Sequence, residues 1–201
     1  MARVLAGKDV DRLIVLGDWM VESGGRDKLI EIVQSVLAAP PPDALSREKL
    51  LFLLLKLNRL GEAQALLDKT PQKSAVMKFY QGEIFRYQKK WPQANEVYRS
   101  LASQIPGAHK MPRLASLSLD TLIRRGSAEP DNRELQVAVA WKLMKAGRLP
   151  EAEKSWGAVA GRWPEEREAL AQRAACLEGL GRLDEAAEAW KTYLSGVLGA
   201  R

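Results

Sequence analysis

Residues 143–156 read LMKAGRLPEAEKSW, and residues 177–190 read LEGLGRLDEAAEAW. The two stretches share the pattern Gly-Arg-Leu-x-Glu-Ala-x-x-x-Trp. Each residue of this pattern recurs at the same offset, so that Ala152 of the first stretch corresponds to Ala186 of the second. A fixed offset of this length, with small and aromatic residues at constant places, is typical of stacked helical hairpins, in which each unit buries its apolar face on the next. The pattern therefore predicts an all-helical chain in which the Gly-Arg pair lies at the turn between two helices.

Weaker copies of this unit precede the two clear ones. Its early alanine recurs at Ala63, Ala94, Ala152 and Ala186, and Ile30 holds the same place in a diverged first copy. An aromatic residue follows three of these alanines one helical turn later, on the same helical face: Tyr98, Trp156 and Trp190. We expect the alanines at helix crossings and the aromatic residues in the core between neighbouring units.

The repeat is interrupted between Ala94 and Ala152, an interval longer than one repeat and shorter than two. This interval contains a predicted helix, Met111–Arg125, that is apolar over more than one face and so needs cover on two sides. We interpret it as a degenerate half-repeat that joins two arrays, and a domain boundary at 127–130 is the alternative. The predicted organisation is an N-terminal array (1–106), a connector (107–130) and a C-terminal array (131–201). About eleven helices are expected, and the first of them spans residues 10–22.

The spacing and the residue classes resemble the tetratricopeptide repeat (TPR) family. The resemblance implies a right-handed superhelical solenoid of helix-turn-helix repeats, in which the first helices line a groove for a peptide or a partner helix. Carried onto this chain, the groove face contains the predicted partner-binding residues Trp19, Phe52, Phe79, Arg86, Tyr87, Trp141, Met144 and Lys145, with Val137, Ala171 and Ala175 beside them. Aromatic residues at helical spacing are equally compatible with buried packing, and both interpretations stay open at this point.

The net charge of +6 comes from one segment. Residues 84–125 contain 8 basic and 2 acidic side chains, whereas the segments on either side are nearly neutral. Besides Arg86, the basic residues are Lys89, Lys90, Arg99, Lys110, Arg113, Arg124 and Arg125. Such a segment indicates either a patch for an acidic partner, a nucleic acid or an anionic membrane, or an ordinary solvated face.

The residues that usually carry chemistry are scarce. Cys176 is the single cysteine and His109 the single histidine, too few for the usual zinc ligand set, and neither glycine-rich phosphate-binding motif occurs. Cys176 lies on an apolar helix face, which is typical of a structural cysteine. We therefore predict a non-enzymatic protein with no catalytic residue, metal or cofactor. The lone cysteine and the absence of an apolar stretch of about 20 residues predict a cytoplasmic chain without a transmembrane segment.

Three functions compete at this stage. The first is a protein-interaction scaffold, an adaptor or chaperone-like module that binds a protein or peptide. The second is an RNA-binding repeat protein that uses the basic segment 86–125, and nucleic acid is the less favoured partner because the flanking arrays are nearly neutral. The third is a structural subunit that forms a homo-oligomer through the C-terminal end, because no polar capping helix follows Leu198.

Overall fold

The computed structural model describes residues 23–105 and 112–200, together with Leu13 and Met20. Ten α-helices and one 3-10 turn make up most of these residues, and no strand occurs among them, so the all-helical prediction is confirmed. The helices are α1 (Arg26–Ala38), α2 (Ala44–Lys56), α3 (Leu60–Asp68), α4 (Ala75–Tyr87), α5 (Trp91–Ala102), α6 (Leu119–Ala128), α7 (Arg133–Lys145), α8 (Leu149–Arg162), α9 (Glu168–Gly179) and α10 (Leu183–Leu198). The helix predicted at residues 10–22 lies outside the described residues, apart from Leu13 and Met20.

The turns that precede α1, α3, α5, α8 and α10 each contain one residue with left-handed backbone. These residues are Gly24 (φ 81°), Asn58 (φ 58°), Lys89 (φ 58°), Gly147 (φ 74°) and Gly181 (φ 74°). Glycine adopts this conformation without a Cβ clash, and it commonly ends a helix. The last four precede the alanines predicted at helix crossings by the same number of positions in every unit, which confirms the predicted repeat register.

A paired arginine and glutamate follow three of these turns: Arg59–Glu62, Arg148–Glu151 and Arg182–Glu185. The Nε–Oε distances are 2.7, 2.7 and 2.6 Å. The guanidinium lowers the pKa of each carboxyl because its hydrogen bonds favour the carboxylate form. The Arg and Glu of the repeated sequence motif therefore bind each other across the first turn of the second helix.

The alanines predicted at helix crossings are all fully buried, at 0% exposure: Ala63, Ala94, Ala152 and Ala186. The aromatic residues predicted to fill the core are buried as well, with exposures of 0% for Tyr98, 3% for Trp156 and 2% for Trp190. Both predictions are confirmed. The small side chains allow the helices to approach, and the large rings fill the space beside each crossing.

The described residues form two compact units, one that ends at Ile84 and one that runs from Phe85 to Ala200. The first unit contains α1 to α3 and most of α4 around a leucine-rich core, in which Leu29, Leu50 and Leu67 are fully buried. Arg26 Nη2 donates to the carbonyl of Leu57 at 3.1 Å and thereby links the start of α1 to the end of α2. The boundaries predicted at residues 107 and 131 both fall inside the second unit.

In the second unit, neighbouring helices follow the order α5, α10, α9, α8, α7 and α6. After α5 the chain continues at α6, the other end of this order, and returns helix by helix until α10 packs against α5. Asn95 Nδ2 of α5 donates to the carbonyl of Leu183 at 2.9 Å, and Arg99 Nη1 donates to Glu178 Oε2 at 2.7 Å. This corrects the expectation of an uncovered C-terminal end, because α5 of the same chain covers α10.

The helix predicted over Met111–Arg125 is shorter than expected. Its first part is a 3-10 turn, Arg113–Ser116, and α6 begins after Ser118, whose side chain accepts a hydrogen bond from the backbone of Thr121 at 3.3 Å. An N-cap of this kind starts a new helix because it satisfies a free N–H group. The expected cover on two sides is present, since α6 contributes to two apolar clusters through Leu119, Leu122 and Ile123.

Candidate functional site

A groove runs along α9 between α8 and α10, and we call it the α9 groove. It consists of two cavities of about 490 and 500 Å³ that share Leu170, Arg173 and Thr192. Leu170, Arg173 and Leu177 form its floor, because residues three and four positions apart lie on one face of a helix. At a rise of 1.5 Å per residue, the floor from Arg167 to Leu177 is about 15 Å long.

Glycines in α8 and α10 lie along the sides of this groove. A Cβ at Gly157 would lie 3.4 Å from Arg173 Nε, in van der Waals contact with the arginine. A Cβ at Gly161 would meet nothing within 4 Å, and one at Gly196 would meet only Arg167 Cδ at 4.0 Å. Since glycine inside a helix costs about 1 kcal/mol relative to alanine, internal packing does not account for these two. They leave the groove open to a group from outside.

Arg173 lies where the two cavities meet, and its position is fixed by a buried carboxylate. Its Nε donates to Glu153 Oε1 at 2.8 Å, while Arg182 Nη1 donates to the other oxygen at 3.4 Å. Glu153 is 6% exposed, and two guanidinium groups compensate its charge. The Arg173 side chain is still 36% exposed, so it offers a pre-positioned donor at the floor of the groove.

Tyr193 lines the same groove with an unpaired hydroxyl. The residue is 1% exposed, and its oxygen has no hydrogen-bond partner among the described residues. Burial raises the pKa of Tyr193, and the charge of Glu168 raises it further. Its hydroxyl therefore stays protonated at neutral pH and carries the cost of an unmade hydrogen bond.

The residues that the TPR resemblance places in a groove do not share one environment. Trp19 lies outside the described residues. Phe79 is 2% exposed, with its ring 5.8 Å from that of Tyr80, so the structure corrects its assignment to a binding surface. Phe52 is half-buried in α2. The sequence did not separate these cases, because buried and exposed aromatic residues have the same helical spacing.

The predicted groove residues of the second unit are more accessible. Trp141 and Met144 are half-buried on α7, where they pack beside the cluster around Trp156, and Lys145 Nζ lies 5.5 Å from the centroid of the Trp141 ring. Tyr87 is 49% exposed, with the Arg86 guanidinium 4.7 Å from its ring centroid. Arg86 is mostly buried and pairs with Glu188 at 2.6 Å. Their part in partner binding stays a prediction.

The basic segment separates into two groups in space. Lys89, Lys90 and Arg99 lie at the turn before α5 and on α5, whereas Arg113, Arg124 and Arg125 lie on the 3-10 turn and α6, at the other end of the helix order. Lys110 lies outside the described residues. Arg99 pairs with Glu178 at 2.7 Å, and Arg125 with Glu129 at 3.6 Å. The described basic residues of this segment therefore do not lie together in one patch, and their part in partner binding stays a prediction.

Nucleophilic and metal-binding chemistry have little support in the described part of the chain. Cys176 is fully buried, and burial, followed by the charge of Glu153, raises the pKa of its thiol to about 11. The thiol is then protonated at neutral pH and is a poor nucleophile. The described residues contain no group of three or more His, Cys, Asp or Glu side chains arranged around a metal. None of their helices has the length and apolar character needed to cross a membrane.

The α9 groove was not predicted from the sequence, although two features of the sequence lie beside it. Gly161 and Gly196 fall within α8 and α10, where glycine is unfavourable. Lys90 and Gln93 stand where three other units carry the Arg–Glu pair. Comparison of the repeats with one another would have marked both places.

No protein family model and no curated protein matches this sequence. Among solved structures, MamA is 18% identical with a TM-score of 0.39, and the match covers 89% of this chain and 92% of that chain. YrrB, described as a TPR protein with an unusual peptide-binding site, is 17% identical with a TM-score of 0.38, over 82% of this chain and 92% of its own. A MamA fragment from Desulfovibrio magneticus RS-1 is 11% identical with a TM-score of 0.40, over 94% and 95%. Likeness of this degree leaves the function to be argued from the residues of this chain.

Proposed function

We propose that this protein is a non-enzymatic, cytoplasmic, TPR-like scaffold that binds a segment of another protein in the α9 groove. The observation that supports this proposal is the shape of the groove, an open floor about 15 Å long beside two glycines with free space next to them. A floor of that length accommodates about ten residues of helix or about five residues of extended chain. The size of the site therefore fits a peptide.

The chemistry of the groove also favours a protein segment over nucleic acid. Leu170 provides apolar contact, and Arg173 provides one fixed donor for a carbonyl or carboxylate. The side formed by α10 carries Asp184, Glu185 and Glu188, of which Glu185 and Glu188 pair with Arg182 and Arg86, so these residues offer no unpaired cation to a phosphate backbone. Nothing in the described part of the chain favours the RNA-binding alternative.

Selection of peptides by the intact chain tests this proposal. A displayed library of random peptides of about ten residues, long enough to cover the groove, is selected on the immobilised protein. Selected peptides are expected to bind the double variant Gly161→Leu/Gly196→Leu at least about tenfold more weakly, a loss of roughly 1.4 kcal/mol. The new leucines project into open space at both positions, so the variant is expected to fold.

The matched control is Ala175→Leu. Ala175 is exposed on α9 outside the groove, on the face that the TPR resemblance predicts for binding. Selected peptides are expected to bind this variant as they bind the original protein. If Ala175→Leu blocks binding and the double variant does not, the partner binds the other face of α9. If the library yields no binding peptide, the proposed function is wrong.

A further inference from the structure

The turn from α4 to α5 differs from the other turns of this chain in its left-handed residue, and from three of them in the residue pair that follows. Its left-handed residue is Lys89, where the other turns have glycine or asparagine. A lysine in this conformation is strained by its Cβ, which packing elsewhere must offset. In the next positions, Lys90 and Gln93 replace the arginine and glutamate that pair in three other units. This unit therefore lacks the carboxylate that neutralises the cation elsewhere.

The same turn exposes two cations and an aromatic ring. Lys89 and Lys90 are exposed, and neither forms an ion pair with a described residue. Tyr87 is 49% exposed, the second most exposed of the large apolar residues in the described ranges. Positions where a chain departs from its own local rules, without a gain in packing, are expected at functional sites. Lysines and an open ring are suited to carboxylates and apolar groups of a partner.

Trp91, the residue that follows the two lysines, lines one end of the α9 groove. The cavity there has a volume of about 490 Å³, and Leu170, Leu177 and Ala189 give it apolar walls. On the α10 side, Glu188 pairs with Arg86 and Glu185 with Arg182, while Asp184 is exposed. A continuous polyanion would also approach the exposed carboxylate of Asp184, so the site favours a segment whose negative charge is confined to the part that faces the lysines.

From this juxtaposition we propose that the turn at residues 87–91 and the adjoining cavity bind a protein segment in which two acidic residues stand next to a large apolar residue. The acidic side chains pair with Lys89 and Lys90, and the apolar side chain enters the cavity beside Trp91. This inference rests on the proposed function and specifies the chemistry of the segment at one end of the α9 groove.

The test rebuilds the turn to match the other units. The triple variant Lys89→Gly/Lys90→Arg/Gln93→Glu places glycine at the left-handed position and restores the Arg–Glu pair, so it is expected to melt at or above the temperature of the original protein. It lowers the net charge by two. The control Arg113→Gln/Arg124→Gln lowers it by the same amount in the other basic group. Lys90→Gln alone is a second variant, which removes one of the two lysine charges and leaves the left-handed residue unchanged.

The probe is a fluorescein-labelled peptide with two glutamates beside one phenylalanine in a Gly-Ser sequence. It is expected to bind the original protein and the control equally, and the triple variant at least about tenfold more weakly. Replacement of the peptide's glutamates by glutamine, or of its phenylalanine by alanine, is expected to weaken binding. Added salt is expected to weaken the contacts between the glutamates and the lysines. Equal binding to the triple variant overturns the inference, as does tighter binding of oligouridine or of phosphatidylserine vesicles through the same lysines.

The two proposals fail in different ways. Library-selected peptides that lose binding to Gly161→Leu/Gly196→Leu, but bind the rebuilt turn as well as the original, overturn the acidic-segment inference and support the proposed function. Failure of the probe and of every library peptide overturns both.

Discussion

Replacement of Tyr193 by phenylalanine is expected to stabilise the protein. The side chain is 1% exposed, and its hydroxyl has no partner among the described residues. An unpaired buried polar group costs about 1–3 kcal/mol, and Tyr193→Phe removes it. The ring keeps its place, 6.3 Å from the ring of Trp190. We expect the free energy of unfolding to rise by about 1 kcal/mol, which corresponds to an increase of about 2–4 °C in Tm for a chain of this size.

Urea unfolding followed by circular dichroism, together with scanning calorimetry, measures this change. Tyr98→Phe is the matched control, because Tyr98 is equally buried and its hydroxyl is not one of the described buried atoms that lack a hydrogen-bond partner, so this variant is expected to be neutral or destabilised. If Tyr193→Phe destabilises the protein by about 1 kcal/mol or more, the hydroxyl is hydrogen-bonded in solution. The packing of Tyr193 on α10 would then be incorrect.

Two further substitutions test the core of the second unit. Ala186→Leu, at a fully buried helix crossing, is expected to lower the free energy of unfolding by about 1–3 kcal/mol, because the larger side chain overpacks the core. Its control, Ala175→Leu at an exposed site, is expected to cost little. If urea unfolding finds Ala186→Leu neutral, the repeat register is wrong. Glu178→Ala removes the acceptor of Trp190 Nε1, 2.7 Å away, and is expected to cost about 1–3 kcal/mol, while Glu178→Gln retains an acceptor and should cost less. Glu165→Ala removes one partner of an exposed ion pair with Arg133 and should cost under about 1 kcal/mol, so equal losses at Glu178 and Glu165 would contradict the described bonding.

Parts of the candidate site were visible in the sequence, and their arrangement was not. Tyr87, Lys89 and Lys90 all belonged to the predicted groove or basic residues. Only the structure distinguishes them from the neighbouring Arg86, because it shows that Arg86 pairs with Glu188, 102 residues later in the chain. Leu170 and Arg173 carried no signal of their own, because an apolar or basic residue on an amphipathic helix has many ordinary explanations.

The sequence by itself determined the helical hairpins, their register and the small and aromatic residues of their cores. These features depend on local physics: the helical period, a left-handed residue at the turn, and the close approach that alanine permits. Only the tertiary structure decided that α10 packs against α5, that the basic segment divides between two ends of the second unit, and that Phe79 is buried. Contacts between distant residues depend on the path by which the chain returns, and a pattern that repeats at a constant interval is compatible with more than one such path.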